Sequence, residues 1–264
     1  MVSSFQKRLF LILFAAGFAG VASFLLVDLG ALVALFPVQE GMSVPVITPA
    51  IKVLSLVQPA VLVLVAVLIG VVLARKVGLS APVAEAIAAG RNVVPALQPQ
   101  IVPGILGAVV GAVLILLAAA VFKSSIPPET IERISAFTRL LPLPTRFLYG
   151  GLTEEVLIRW GLMTLLVWIV WRVFQRRLNQ PSAISFVVAI LVSSFVFGLG
   201  HLPVAILLLG GATVEVVCFV IIANSAFGII AGYLYWKHGL ESAMIAHVLG
   251  HVALFTASYA GLYF

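Results

Sequence analysis

Two carboxylates and a guanidinium stand in a strongly apolar stretch of the sequence, GGLTEEVLIRWG (150–161). Glu155 and Arg159 are four residues apart, so on a helix they share a face and can form an ion pair. Glu154 is rotated by about 100° from Glu155 on such a helix and has no local partner. A carboxylate without an ion partner in a water-poor site suits a general base or acid. The spacing predicts that Glu155 and Arg159 are structural and that Glu154 does chemistry. The alternative is one buried charge cluster that locks helices together.

Three of the four histidines also lie in apolar stretches. His201 ends FVFGLGH, in which Phe197 lies one turn earlier and two glycines allow another helix to approach closely. His247 and His251, in AHVLGH, are four apart and project from one helical face. That pair suits two ligands on one metal, or two donors aimed at one substrate oxygen. Ionisable residues inside a membrane span cost roughly 2.5–3.5 kcal/mol each, so these residues are functional candidates.

The helices that hold these residues must lie in a membrane. Hydrophobic residues make up 63% of the 264, and charged residues 9%, against about 25% charged in soluble domains. The net charge of +6 is scattered between apolar runs, which indicates membrane-flanking anchors and excludes a nucleic-acid partner. Cys218 is the only cysteine, so the chain has no internal disulfide and no cysteine cluster for zinc.

We expect an all-α, polytopic membrane helical bundle of seven to eight transmembrane helices with short interfacial helices. Residues 202–211, LPVAILLLGG, are interpreted as a re-entrant piece or half-helix, which would be the eighth element. Two further helices are predicted at the membrane surface, in 83–97 and in 127–141, and residues 28–53 are placed at the interface. The apolar runs predict spans near 9–27, 54–74, 104–122, 147–171, 184–201, 212–236 and 240–262.

The distribution of lysine and arginine predicts the orientation of the bundle. With the N-terminus inside, nine of these residues lie inside and five outside, which favours that orientation. Glu154 and His247 then reach similar depths, and His251 and His201 lie nearer the outer face. The four side chains are therefore predicted to share one polar cavity in the outer half of the bilayer.

This set of residues suits hydrolysis of a peptide bond within the membrane. Such a reaction needs a water, a base to activate it and donors for the tetrahedral oxyanion. A two-aspartate mechanism is excluded because Asp28 is the only aspartate. The zinc signature H-E-x-x-H and the serine signature G-x-S-x-G are both absent. A glutamate and histidine mechanism remains.

Three motifs carry a resemblance to a known family. EEVLIR matches E-E-x-x-x-R, FGLGH matches F-x-x-x-H, and HVLGH nearly matches H-x-x-x-N. Their order on successive spans resembles the CPBP family, also called the Abi or CAAX-protease family. That family includes the eukaryotic type II CAAX prenyl endopeptidases and bacterial proteins linked to bacteriocin processing and immunity. The resemblance covers about residues 124–255, so we expect a catalytic core over 124–264 and motif-free transmembrane helices over 1–123.

The resemblance implies a role for each candidate residue. Glu154 would be the base that activates water, with Glu155 and Arg159 in support. His201 would assist Glu154, and His247 would stabilise the oxyanion. At the fourth catalytic position His251 stands where the family has asparagine; a neutral imidazole N–H can donate as an amide does.

The resemblance also implies the cofactor, partner and location. A metal-free reaction is the preferred reading. Three histidines and a glutamate are a plausible zinc set, so zinc is the alternative. The partners are a peptide or protein substrate at the membrane and the lipid bilayer, with the oligomeric state left open. We expect a multi-pass protein of a bacterial or archaeal plasma membrane. The eukaryotic relatives cleave prenylated C-terminal CAAX peptides on the cytosolic side, which conflicts with a site in the outer half.

Two other functions fit the same residues. A membrane scaffold or bacteriocin-immunity-type protein could bind a partner through the same polar residues, and the replacement of asparagine by His251 motivates that interpretation. A proton-coupled transporter could use Glu154 and the histidines as a relay. The absence of an internal repeat counts against the transporter.

Overall fold

The computed structural model describes residues 3–37, 46–209, 211 and 213–263. Within these residues all regular structure is helical, which confirms the predicted all-α class. The helices are α1 (Ser4–Ser23), α2 (Leu29–Ala34), α3 (Pro49–Leu54), α4 (Val57–Leu73), α5 (Pro82–Ala88), α6 (Val94–Phe122), α7 (Pro128–Leu140), α8 (Leu143–Phe174), α9 (Ala183–Leu209), α10 (Val214–His238) and α11 (Leu240–Tyr259).

Seven segments of the described chain are long and apolar enough to cross a membrane, and each overlaps a predicted span. Most extend beyond the predicted window, because helical hydrogen bonding continues past the last apolar residue. The segments are Ser4–Leu26, Pro49–Val77, Val94–Ser125, Leu143–Phe174, Ala183–Leu208, Val214–His238 and Leu240–Tyr259.

Residues 202–209 do not form a separate re-entrant piece. Helix α9 runs without a break through His201 and Pro203 to Leu209, so the interpretation of an eighth element there was wrong. The ring of Pro203 removes one backbone hydrogen bond. The neighbouring residues Val204, Ile206 and Leu207 are apolar and exposed, and lipid around them favours a backbone that remains helical. Residues 210 and 212 lie outside the described residues.

The predicted surface helices had mixed outcomes. The helix predicted in 127–141 is present as α7. The segment 83–97 is not one amphipathic helix: α5 ends at Ala88, the chain turns at Gly90 with φ +66°, and α6 begins at Val94. In 28–53 the chain forms the short helices α2 and α3, and residues 38–45 lie outside the described residues.

Helix α8 lies at the centre of the bundle. Its first half packs against α1 and α11, and its second half against α4 and α9. Trp160 and Met163 of this second half belong to a buried apolar core that also contains Val63 of α4 and Tyr235 of α10. Glu155 and Arg159 of α8 are therefore held among other helices, away from lipid, which lowers the cost of keeping them at this depth.

Widened π-helical turns run through most of α8, over Arg146–Glu154 and Val156–Met163. In such turns the backbone hydrogen bonds span five residues, a rare arrangement that is frequent at functional sites. The hydroxyl of Thr164 donates to the carbonyl of Arg159, five residues back, at 3.2 Å. On the side of the first stretch that faces α1, the hydroxyl of the buried Thr153 donates to the Gly17 carbonyl at 2.6 Å. The unusual turns thus fall where the motif residues are.

The start of α11 is fixed by hydrogen bonds to α6 and to the segment around α5. Gln100 is buried, and its Oε1 accepts from the backbone N–H of Ser242 at 2.9 Å. Glu241 accepts from the N–H of Ala84 at 2.9 Å, and Leu240 donates to the carbonyl of Ser80 at 3.1 Å. These contacts set the position of the helix that carries His247 and His251.

Candidate active site

Glu155 and Arg159 form a fully buried ion pair on α8. Oε2 of Glu155 lies 3.2 Å from Nε of Arg159, and neither side chain is exposed to solvent. The guanidinium also donates to the Gly228 carbonyl of α10 at 3.1 Å and lies over the ring of Phe197, 5.1 Å from its centre. The pairing predicted from the spacing of four residues is present, and it links α8 to α9 and α10.

Glu155 has a second partner that its position in the sequence does not reveal. Nδ1 of His247 donates to its Oε1 at 2.7 Å. Because a carboxylate only accepts, this contact requires the hydrogen of His247 to be on Nδ1. Nε2 of His247 therefore points away from the ion pair.

Glu154 faces that second nitrogen. Its Oε2 lies 3.8 Å from Nε2 of His247, a distance too long for a direct hydrogen bond. The Glu154 side chain is 19% exposed, whereas that of Glu155 is completely buried. The two adjacent glutamates therefore have different environments: one is enclosed in an ion pair, and the other is accessible.

His201 has a defined hydrogen position. Its Nδ1 lies 2.8 Å from the carbonyl oxygen of Phe197, one turn earlier on α9. A carbonyl accepts and cannot donate, so the hydrogen is on Nδ1 and Nε2 is left as an acceptor when the ring is neutral. The ring of Phe197 contacts both His201 and His247 edge-on, with centroid distances of 4.7 and 6.0 Å. Phe197 thus joins the two histidines.

His251 completes the group. Its ring stacks on that of His247, with centroids 4.9 Å apart and planes 16° from parallel. On its other side it packs against Gly150 of α8, where a side-chain Cβ would collide with Nε2 of His251. This close approach requires glycine. Nε2 is buried and has no hydrogen-bond partner.

The structure therefore brings together Glu154, His247 and His251, with His201 connected through Phe197. His201 also lies close enough to Glu154 for an electrostatic interaction. We call Glu154, His201, His247 and His251, together with the Phe197 that joins the histidines, the polar cluster. Glu154 lies 11 residues after the start of α8, and His251 lies 8 residues before the end of α11. At about 1.5 Å per residue, the polar cluster is in the half of the bundle nearer the membrane face where α8 begins. We call that face A.

These side chains do not fit a metal centre. Among the described residues, no group of three or more histidine, cysteine, aspartate or glutamate side chains is arranged to hold a metal ion. Nδ1 of His247 contacts Glu155 and Nδ1 of His201 contacts the Phe197 carbonyl, which leaves Nε2 of each ring as the atom that could bind a ligand. The full zinc set that the residue types alone allow is not assembled among the described residues.

Comparison with known proteins adds an independent finding. Residues 136–253 match the family model described as type II CAAX prenyl endopeptidase Rce1-like. This segment contains every residue of the polar cluster and the Glu155–Arg159 pair, and the match confirms the resemblance carried by the three motifs. No curated protein and no solved structure matches the chain.

Proposed function

We propose, from the match of residues 136–253 to the Rce1-like type II CAAX prenyl endopeptidases, that this membrane protein is an intramembrane endopeptidase. Its substrate would be a membrane-associated, CAAX-like peptide. One observation carries the proposal. Of two adjacent glutamates, Glu155 is enclosed in an ion pair with Arg159, whereas Glu154 is accessible and belongs to the polar cluster with three histidines.

In the proposed reaction Glu154 is the base. The gap of 3.8 Å between its Oε2 and Nε2 of His247 is wide enough for a water to bridge. Nε2 of His201, an acceptor, is suited to hold the same water. Glu154 takes a proton as the water oxygen bonds to the peptide carbonyl carbon. The proton then passes to the leaving nitrogen as the C–N bond breaks, giving a carboxylic acid and an amine.

His247 and His251 are the proposed donors to the oxyanion. Since Nδ1–H of His247 is committed to Glu155, Nε2 can donate only when the ring carries a second proton. The buried carboxylate of Glu155 orients that ring, as the aspartate of a serine protease does for its histidine. Glu155 and Arg159 would therefore be positioning residues, and His251 would donate from a ring N–H where the family has an asparagine amide.

The direct test is cleavage of a farnesylated CAAX peptide by the protein purified in detergent, with products identified by mass spectrometry. We expect Glu154→Gln to lower turnover by at least about 100-fold, since general base catalysis contributes about 10²–10⁴-fold. His201→Ala should lower turnover as well. Unchanged turnover in both variants would refute the mechanism. A metal chelator should leave wild-type turnover unaltered, and loss of turnover that added zinc restores would overturn the metal-free proposal.

A second candidate is a non-enzymatic scaffold or immunity-type protein. The observation in its favour is His251, which differs from the family asparagine and packs on Gly150 with its Nε2 buried and unpartnered. That function predicts that Glu154→Gln complements a deletion strain as well as wild type does. The endopeptidase predicts failure of Glu154→Gln to complement and retained turnover in His251→Asn.

A further inference from the structure

Helices α8 and α11 are antiparallel and meet in three successive pairs of residues. Glu154 faces His247, Gly150 packs against His251, and the Arg146 guanidinium lies over the ring of Phe255, 5.6 Å from its centre. Both series step by four residues, 154–150–146 on α8 and 247–251–255 on α11. A continuous seam therefore runs from the polar cluster towards face A and ends at an arginine.

Arg146 has unused capacity to bind an anion. Its Nε donates to the carbonyl of Leu141 at 3.1 Å, and one terminal nitrogen donates to the carbonyl of Thr138. These contacts cap the end of α7 and use two of the five guanidinium N–H groups. In the part of the chain that the structure describes, no carboxylate lies within ion-pair distance of Arg146, and the residue is partly exposed. A fixed positive charge thus remains at the end of the seam.

We propose that Arg146 binds the free C-terminal carboxylate of the substrate. This inference rests on the proposed endopeptidase function and deepens it. Guanidinium groups bind carboxylates well because their planar N–H groups match the two oxygens. Arg146 would be a specificity-determining residue that selects peptides by the position of their C-terminus, and it takes no part in the chemical step.

The length of the seam matches a short C-terminal segment. Arg146 is eight residues from Glu154, a rise of about 12 Å in an α-helix, and the π-helical turns here shorten it. Three extended residues span about 10 Å. A CAAX sequence ends three residues after its prenylated cysteine. If the bond after that cysteine lies at Glu154, the C-terminal carboxylate reaches Arg146.

The wild-type enzyme can test this without any variant. Two farnesylated CAAX peptides would be compared, identical except that one has a free C-terminal carboxylate and the other a C-terminal amide. Because the free acid can form charge-assisted hydrogen bonds with Arg146, we expect its kcat/KM to be about 10- to 100-fold higher than that of the amide, mainly through a lower KM. A third peptide with two residues added after the motif should also be a poor substrate. Equal kcat/KM for the acid and the amide would overturn the inference.

Variants then assign the effect to Arg146. Arg146→Gln should cleave the acid and the amide at similar rates. Arg133→Gln is the matched control. Arg133 lies on α7, away from the seam, and also donates to a carbonyl near a helix end, that of Leu208, at 3.4 Å. This variant should keep the wild-type preference. Retention of the preference in Arg146→Gln overturns the inference while leaving the endopeptidase proposal intact. Wild-type protein that cleaves none of the peptides counts against the endopeptidase and this inference together.

Discussion

Glu154 and Glu155 are neighbours in the sequence, yet replacing each by glutamine should affect stability in different ways. Glu155→Gln removes the only carboxylate paired with Arg159 among the described residues, in a site with no solvent exposure. The guanidinium would keep the Gly228 carbonyl at 3.1 Å, but Nε would lose its 3.2 Å contact with Oε2 of Glu155, and one terminal nitrogen has no acceptor even in the native protein. The buried, charged guanidinium of Arg159 therefore depends on the negative charge of Glu155 for its stabilisation.

The size of the effect follows from this arrangement. Removing one partner of a buried ion pair costs about 3–5 kcal/mol, because an uncompensated charge stays buried. The glutamine amide oxygen could still accept from His247, but its amide group would present N–H donors to a guanidinium that only donates. Glu154→Gln loses only a 3.8 Å contact at a partly exposed position, and we expect a change within about 1 kcal/mol.

The assay is reversible unfolding in mixed micelles with increasing sodium dodecyl sulfate, followed by circular dichroism. Peptide cleavage is measured on the same preparations. We expect Glu154→Gln to be inactive and nearly as stable as wild type, and Glu155→Gln to be both impaired and less stable by about 3–5 kcal/mol. Equal stability of the two variants would refute the division of roles drawn from the structure.

Three further predictions concern other parts of the bundle. Gly150→Ala should displace His251 and lower kcat, because the added Cβ collides with its ring, whereas Gly200→Ala, with nothing within 4 Å, should be silent in the same cleavage assay. Gln100→Ala removes the 2.9 Å hydrogen bond from the N–H of Ser242 and leaves that N–H only the Gly239 carbonyl at 3.2 Å, so it should lower the free energy of unfolding by about 0.5–1.5 kcal/mol, measured by the same micelle titration. With the N-terminus inside, a tag placed before α1 should resist external protease in intact cells until they are permeabilised; cleavage in intact cells would reverse the orientation.

Local features of the site follow from the sequence, and contacts between distant segments do not. The Glu155–Arg159 pair could be predicted because four residues on one helix fix their relative position. The contact between Glu155 and His247 joins residues 92 positions apart, and helical spacing carries no information on which faces of two helices meet. The motifs marked both residues as important but gave them separate roles, whereas the structure joins them by a hydrogen bond.

Two features of the helices also escaped prediction, for different reasons. Pro203 and the glycines after it suggested a break in α9, but a lipid environment favours an unbroken helix over exposed backbone groups. The π-helical turns of α8 have no counterpart in residue periodicity, because they depend on packing and on side chains such as Thr164 that bond to carbonyls five residues back. The seven spans could be predicted because composition alone decides them.

The packing of α1 and α6 constrains which parts of the chain can be exchanged with relatives. The Thr153 hydroxyl, one residue before Glu154, is held by the Gly17 carbonyl of α1, and α6 packs along α11 and fixes its start through Gln100. A chimera that takes only residues 136–253 from another protein would mismatch both surfaces. Recombination that preserves the reaction should therefore carry α1 and α6 along with the motifs, although neither helix contributes a motif of its own.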